Sequence, residues 1–330
     1  MKDAILPASK VSISQAIFGT SRLGGTVQQY DKKKSLAILE KAVDSGITTF
    51  DTANIYAQGN SEKLLGAVVK RHREEVVIAT KGGYALSSKG QLLSLVKPMI
   101  RKVIGSRPGL VRAAGKVRGG QMKQDFSRTG LTKSLDDSLK RLNSDYVDIY
   151  QLHSPDQETL EKGEVFEILE DFKQAGKIRA AGVSLLSWEH LSNCIGKGIE
   201  FAQMEADFLS GIDRGRDLTA AAKDGIVVAA RQPFGSGLVA KDPKDWTEEQ
   251  FGGDSERLER ARQRMAQIKE IGDPFKVILR HLLHSSQYPT FLFATTNLQH
   301  LESNFKIMGE ARPDSEEVNA LAKLFVETLQ

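Results

Sequence analysis

Short apolar runs recur along this chain, and between most of them lies a stretch whose apolar positions repeat every three or four residues. Ser12 to Phe18, ending in Gly19 and Thr20, reads as a strand, and Lys33 to Asp44 as a helix with Leu36, Leu39, Ala42 and Val43 on one face and Gly46 closing it. Ile47 to Phe50 is a second short strand. Gly59 and Asn60 mark a turn, Ser61 suits an N-cap, and Glu62 to Lys70 continues as a helix over Leu64, Leu65 and Val68. Strand three starts at Val76, but its helix comes only at Thr132 to Leu142. DYVDIYQLH, ending in His153, is the fourth strand, followed by a helix from Val165 to Gln174 that Gly176 ends. Strands five to seven are Arg179 to Val183, Ile199 to Glu205 and Gly225 to Ala230, with helices near Ser187 and around Asp217 to Lys223. Polar segments and helices fill Asp242 to Ser285. Thr290 to Ala294 is the eighth strand and Gln299 to Lys306 its helix.

Strand and helix alternating at this density imply a parallel sheet, and eight units favour a closed (β/α)8 barrel over an open doubly wound sheet. A chain of 330 residues leaves room for two ordinary domains, yet one barrel with insertions also fills it, and the chain reads as a single α/β domain over 1–330. The first strand-to-helix turn, GTSRLGG, fails the G-x-G-x-x-G spacing of a Rossmann fold. In a barrel the C-terminal ends of the strands share one rim, and there the chain sets Asp51, Tyr56, Lys81 and His153. Singly, each has an ordinary reading: a turn acid, a loop aromatic, a solvated strand end, a satisfied core histidine. Their recurrence at one rim is the signal.

FDTANIY, IATKGG, DIYQLHSP, the GVS of Gly182 to Ser184, Gln203 in FAQMEAD and QPFGSGL from Gln232 to Leu238 follow in an order that resembles the aldo-keto reductase family. The likeness covers most of the chain. It implies a (β/α)8 barrel that binds NADPH or NADH across the C-terminal rim and reduces aldehydes or ketones, with Asp51, Tyr56, Lys81 and His153 as the catalytic set. Chemistry gives a separate reason for these types. Hydride reaching a carbonyl carbon leaves an alkoxide that needs an acid, and a cation beside a phenol favours release of its proton. Asp51 would hold Lys81, and His153 would orient the substrate oxygen.

The resemblance further implies cofactor contacts from Gly19, Thr20 and Asp51, from Ser184 and Gln203 to the nicotinamide carboxamide, and from Gln232, Phe234 and Ser236 along the pyrophosphate. Thr295, Thr296, His300 and Asn304 fall at the adenosine end. The sequence departs from the family pattern at Leu185, usually Asn, and at Arg231, where a stacking Tyr is common. Ala294 and His300 stand where basic residues commonly hold a 2'-phosphate, and Ser303 replaces an acid. NADPH is the expected cofactor, with NADH as the alternative. No metal is expected.

Charge adds one feature. From Val76 to Gln124 there are ten Lys or Arg and no Asp or Glu, so of the net +4 this stretch holds +10 and the remainder −6. It coincides with an insertion over about 84–127, read as a solvated excursion or as a lid that attracts anions. Its apolar positions, including Leu92, Val96 and Ile100, are amphipathic, but membrane contact is not expected, and nucleic acid is not a partner because interleaved aromatics are lacking. Cys194 alone excludes a disulfide framework and reads as packing, and Asp145 and Asp148 read as turn or surface acids. With neither a signal peptide nor a membrane-length apolar run, a cytoplasmic monomer or weak homodimer acting on a small carbonyl compound is expected. Beside the reductase stands a nicotinamide-sensing regulatory subunit with little turnover. A phosphate-binding barrel isomerase or lyase would not need the GVS, Gln203 and QPFGSGL series.

Overall fold

The computed structural model describes residues 3–25, 31–86, 122–206, 209, 214–284 and 288–310. Eight parallel strands close into a barrel: β3 (Ala16–Gly19), β4 (Thr49–Asp51), β5 (Val77–Gly82), β8 (Val147–His153), β9 (Ile178–Ser184), β10 (Phe201–Glu205), β11 (Val227–Arg231) and β12 (Thr290–Phe293). The ring is sealed where β12 meets β3, with Phe291, Leu292 and Phe293 opposite Ala16, Ile17 and Phe18. The eight strands are those anticipated from the apolar runs. Outside them lie helices α1 (Lys32–Asp44), α2 (Asn60–Val69), α3 (Arg128–Leu142), α4 (Gln157–Lys162), α5 (Glu164–Gln174), α6 (Gly215–Lys223), α7 (Ser255–Ile271), α8 (Pro274–His284) and α9 (Leu298–Met308). The helix expected near Ser187 is a 3-10 turn, Glu189–Cys194.

Two departures from the expected elements matter. The run Ser12 to Phe18 is two strands, because Gln15 turns its amide to the Leu283 carbonyl 2.9 Å away and breaks the run. Its first part, β2 (Ser12–Ser14), pairs antiparallel with β1 (Asp3–Ile5). Leu6, Val11 and Ile13 of this hairpin share the inner apolar cluster with Ile17, Val77, Ile149 and Phe201, so the hairpin plugs the N-terminal end of the barrel. After β5, a second antiparallel ribbon forms from β6 (Tyr84–Leu86) and β7 (Met122–Gln124). The expected insertion 84–127 therefore starts and ends in paired backbone, while its residues 87–121, with the amphipathic pattern, lie outside the described residues.

Asp148 corrects its reading as a surface acid. It is 1% exposed, takes the Ile78 amide proton at 2.9 Å, and pairs with Arg73 and Arg179, each at 2.9 Å. It points out of the barrel and ties β5, β8 and the start of β9 together, whereas Asp145 is exposed as expected.

The alternation of a strand explains where chemistry can sit. Every second residue faces inward, so β5 presents Val77, Ala79, then Lys81; β8 presents Ile149, Gln151, His153; and β10 presents Phe201, then Gln203. The inward stripe is apolar for its first layers and polar in its last. The plugged end is thus a packed core, and the open C-terminal end carries ionisable groups.

Candidate active site

Asp51 closes β4 and Lys81 lies near the end of β5, on the neighbouring strand, and both are all but excluded from water at 2% and 1% exposure. Lys81 Nζ donates to Asp51 Oδ1 at 2.7 Å and Oδ2 at 2.6 Å, and to the Thr52 carbonyl at 2.9 Å. Burial pushes the ammonium pKa down, but Asp51 and the Tyr56 oxygen together outweigh it and leave the pKa above the usual lysine value. The carboxylate also accepts from Gln203 Nε2 at 2.5 Å and from Gln151 Nε2 at 3.3 Å, so its charge is held from three strands. Gln151 was not anticipated as a site residue. Its position two residues before His153, on the same inward stripe, is the signal that could have found it.

Tyr56 reaches the pair from the loop after β4. Ala57, Gln58 and Gly59 follow with φ of 49°, 60° and 82°, a left-handed run that costs energy at the two non-glycine positions and turns the chain sharply into α2. The helix is capped by Gly59, not by Ser61. Ser61 lies in the first turn and donates its hydroxyl toward the carbonyl and Oγ1 of Thr20, at 2.9 and 2.7 Å, which locks the two rim loops together. Lys81 Nζ stands 3.5 Å from the Tyr56 hydroxyl.

His153 meets the Tyr56 ring edge-on at 6.0 Å between centroids and the Tyr84 ring at 5.2 Å. Tyr84 comes from the β6–β7 ribbon. Asn54 donates to its carbonyl, and Gln124 joins its hydroxyl to the Ser154 carbonyl at 3.1 and 2.7 Å. Burial, then the charges of Lys81 and Arg231, lower the His153 pKa to about 3. The imidazole is neutral at pH 7. Its Nδ1 is buried with no hydrogen-bond partner among the described residues, and the same holds for Gln203 Oε1, Gln151 Oε1 and Arg231 Nε.

A site with a buried lysine–carboxylate pair against a phenol, beside a neutral histidine, at the open end of an eight-stranded barrel invites comparison with known proteins. Residues 16–325 match the profile of the Aldo/keto reductase family. The chain belongs to that family. The oxidoreductase YqkF of Bacillus subtilis (strain 168) is 25% identical over 331 residues, 97% of this chain and 95% of that protein. The NADH-specific methylglyoxal reductase of Escherichia coli (strain K12) is 28% identical over 252 residues, 72% of this chain and 69% of that one. With several other relatives the matched stretch is under half of the relative's length. Among solved structures, the holo form of an aldo-keto reductase from Bacillus halodurans superposes with a TM-score of 0.75 at 21% identity, covering 100% of this chain and 98% of the other, a likeness of fold.

In this aldo/keto reductase the remaining anticipated residues lie along the same rim. Gly19 ends β3, and Thr20 is buried with its amide on the Asp51 carbonyl at 2.8 Å. Ser184 ends β9, in register with both His153 and Gln203. Arg231 ends β11 and donates Nη2 to the Leu185 carbonyl at 3.0 Å. Beyond it, Gln232, Gly235, Ser236 and Gly237 all have positive φ, and the exposed Arg22 donates to the Ser236 carbonyl at 3.1 Å across the rim. Phe234 stacks on Phe275 at 4.3 Å.

Thr295 and Thr296 precede α9, which Asn297 caps; His300 is exposed in its first turn, and Asn304 is buried one turn on. Trp246 is 2% exposed and packs on Phe251. Cys194 is buried, and burial pushes its thiol up to about 12, which suits packing and not nucleophilic work. Among the described residues there is no cluster fit for a metal and no helix long and apolar enough to cross a membrane.

Proposed function

We propose that this protein is an NAD(P)H-dependent reductase of aldehydes or ketones, with Tyr56 as general acid in reduction and general base in the reverse direction. One observation carries the reading: a lysine fixed on a buried carboxylate lies 3.5 Å from the phenol oxygen, beside a histidine. A histidine with a pKa of about 3 is a neutral imidazole at neutral pH, whose one N–H can donate a hydrogen bond but is a far weaker acid than an imidazolium, so the acid's role falls to Tyr56. When bound, the nicotinamide supplies the hydride.

The chain's own groups do the rest. Tyr56 passes its proton to the carbonyl oxygen as negative charge grows there, and Lys81 offsets the charge left on the phenol. Asp51, held by Gln203 and Gln151, keeps Lys81 in place. His153 hydrogen-bonds the carbonyl oxygen and fixes its direction. Gln203 Oε1 and Arg231 Nε, an acceptor and a donor on adjacent strands that are buried without partners among the described residues, fit a polar ligand at this rim, and a nicotinamide carboxamide held by Ser184 and Gln203 would satisfy the acceptor. Gly19, Thr20 and Arg231 would border the ring; Gln232, Phe234 and Ser236 the pyrophosphate; Thr295, Thr296, His300 and Asn304 the adenosine end. Hydroxyls and backbone amides at a helix N-terminus such as that of α9 can hold a phosphate, which favours NADPH. A relative named for its NADH specificity keeps NADH in the test.

The experiment is titration of the purified protein with NADPH and NADH by fluorescence quenching. A panel of aldehydes and ketones, methylglyoxal included, then follows with absorbance of the reduced cofactor as readout. Binding with turnover that disappears in Tyr56→Phe is expected. Binding without turnover on any substrate would replace the enzyme by a nicotinamide sensor, and failure of both nucleotides to bind would sink both readings.

A further inference from the structure

We propose that Arg231 makes this site discriminate between the two oxidation states of nicotinamide, retaining the neutral reduced ring and rejecting the cationic oxidised one. The inference rests on the cofactor reading above and adds a property to it.

Charges at the rim are unevenly matched. Lys81 is matched by Asp51, with both carboxylate oxygens within 2.7 Å of its nitrogen. His153 is neutral at pH 7. Arg231 has no such match. Its hydrogen bond goes to the uncharged Leu185 carbonyl, its Nε is buried without a partner, and among the described residues it forms no ion pair. Glu205 is its register partner on β10, but does not pair with it. Arg231 is thus a half-buried positive charge that no carboxylate among the described residues matches. Its field reaches the reacting centre, since Arg231 is among the causes that depress the His153 pKa.

That charge lies on the inward stripe of β11, one step above Ala229, which is itself opposite Gln203. Gln203 and Ser184 are the residues fitted to the carboxamide, so the guanidinium borders the ring that the carboxamide anchors. A reduced nicotinamide ring is uncharged; the oxidised ring is a delocalised cation. Two like charges in a partly dry rim repel far more than in water. The pyrophosphate and adenosine portions are common to both forms, so their contacts cancel in the ratio of affinities. What remains is the ring charge. The oxidised product would therefore leave readily and inhibit weakly.

Fluorescence titrations with NADPH, NADP+, NADH and NAD+ would test this in wild type, Arg231→Met and Arg231→Lys. The wild type is expected to bind each reduced form at least tenfold more tightly than its oxidised partner, equivalent to raising the bound couple by about 30 mV. Arg231→Met should bring the ratio below threefold, and Arg231→Lys, which keeps the charge, should preserve most of it. If Arg231→Met does not fold, as judged by urea unfolding, Arg231→Gln makes the same comparison. Binding with a ratio near one in the wild type, or with a ratio that the neutral variant leaves unchanged, overturns the inference alone. Absence of binding by all four nucleotides overturns the cofactor reading and the inference with it.

Discussion

Replacing Lys81 by methionine keeps an unbranched chain of similar reach and removes the charge at the centre of the proposed machinery. Two effects follow, each read by a different assay. A full negative charge on the Tyr56 oxygen, 3.5 Å from Nζ, would interact with the ammonium by about 5 kcal/mol at an effective dielectric constant of roughly 20. With the proton half transferred at the transition state, about half of that is at stake, or roughly fifty-fold in kcat. Asp51, left unopposed, would add to the loss. The expected result is a kcat down by fifty-fold or more, with KM and cofactor affinity changed little by comparison. Stability should fall as well, because a carboxylate 2% exposed keeps only amide partners and an unpaired buried charge costs about 3 to 5 kcal/mol. Urea unfolding measures that term. The double variant Asp51→Asn with Lys81→Met removes both charges, so it should recover most of the stability while remaining slow. A Lys81→Met enzyme within threefold of wild-type kcat, or a double variant no more stable than the single one, would refute this reasoning.

Three further outcomes concern the scaffold. Asp148→Asn keeps the shape but strips the charge shared by Arg73, Arg179 and the Ile78 amide; since the two arginines are 16% and 47% exposed and can turn to water, a loss of about 2 to 3 kcal/mol in urea unfolding is expected. Gly66→Ala should destabilise despite alanine's better helix propensity, because its Cβ would lie 2.4 Å from the Leu142 carbonyl oxygen at the end of α3; about 1 to 2 kcal/mol net is expected, and a more stable variant would count against the packing described. Burial, then Arg264, lowers the His281 pKa to about 4, so between pH 6.5 and 4 the unfolded chain binds the extra proton and stability falls as pH falls. That loss, on the order of 3 kcal/mol between pH 7 and 4, should be largely absent from His281→Phe when both are followed by urea unfolding across the range.

The strands were legible because a parallel barrel buries both faces of each one, which writes a continuous apolar run such as Val76 to Ala79 into the sequence. The rim was legible for a related reason: polarity at the end of an inward stripe has no packing explanation, so Lys81 and His153 stand out. Hidden features were those whose signal is spatial. Asp148 breaks no pattern as a polar residue in a strand, and only the arrival of Arg73 and Arg179 from elsewhere reveals a buried charge. Ser61 has the composition of a cap, yet Gly59 takes that place because the left-handed turn after Tyr56 comes first. β2 was merged with β3 because nothing in SISQAIF marks a break ahead of the apolar Ala16 to Phe18. The left-handed φ of Ala57, Gln58, Gln232 and Ser236 leaves no compositional trace at all.

The seam between β12 and β3 bears on how the chain is made. Strands adjacent in the ring are mostly adjacent in sequence, but this pair joins Ala16–Gly19 to Thr290–Phe293. During synthesis at about 5 to 20 residues per second, β3 keeps an unpaired edge for tens of seconds after it leaves the ribosome, until β12 follows. The half-built ring in that interval is an open sheet with two exposed edges. Asp51 and Lys81, on neighbouring early strands, can meet long before closure, so the chemistry of the rim is assembled inside an intermediate whose final strand is still to come.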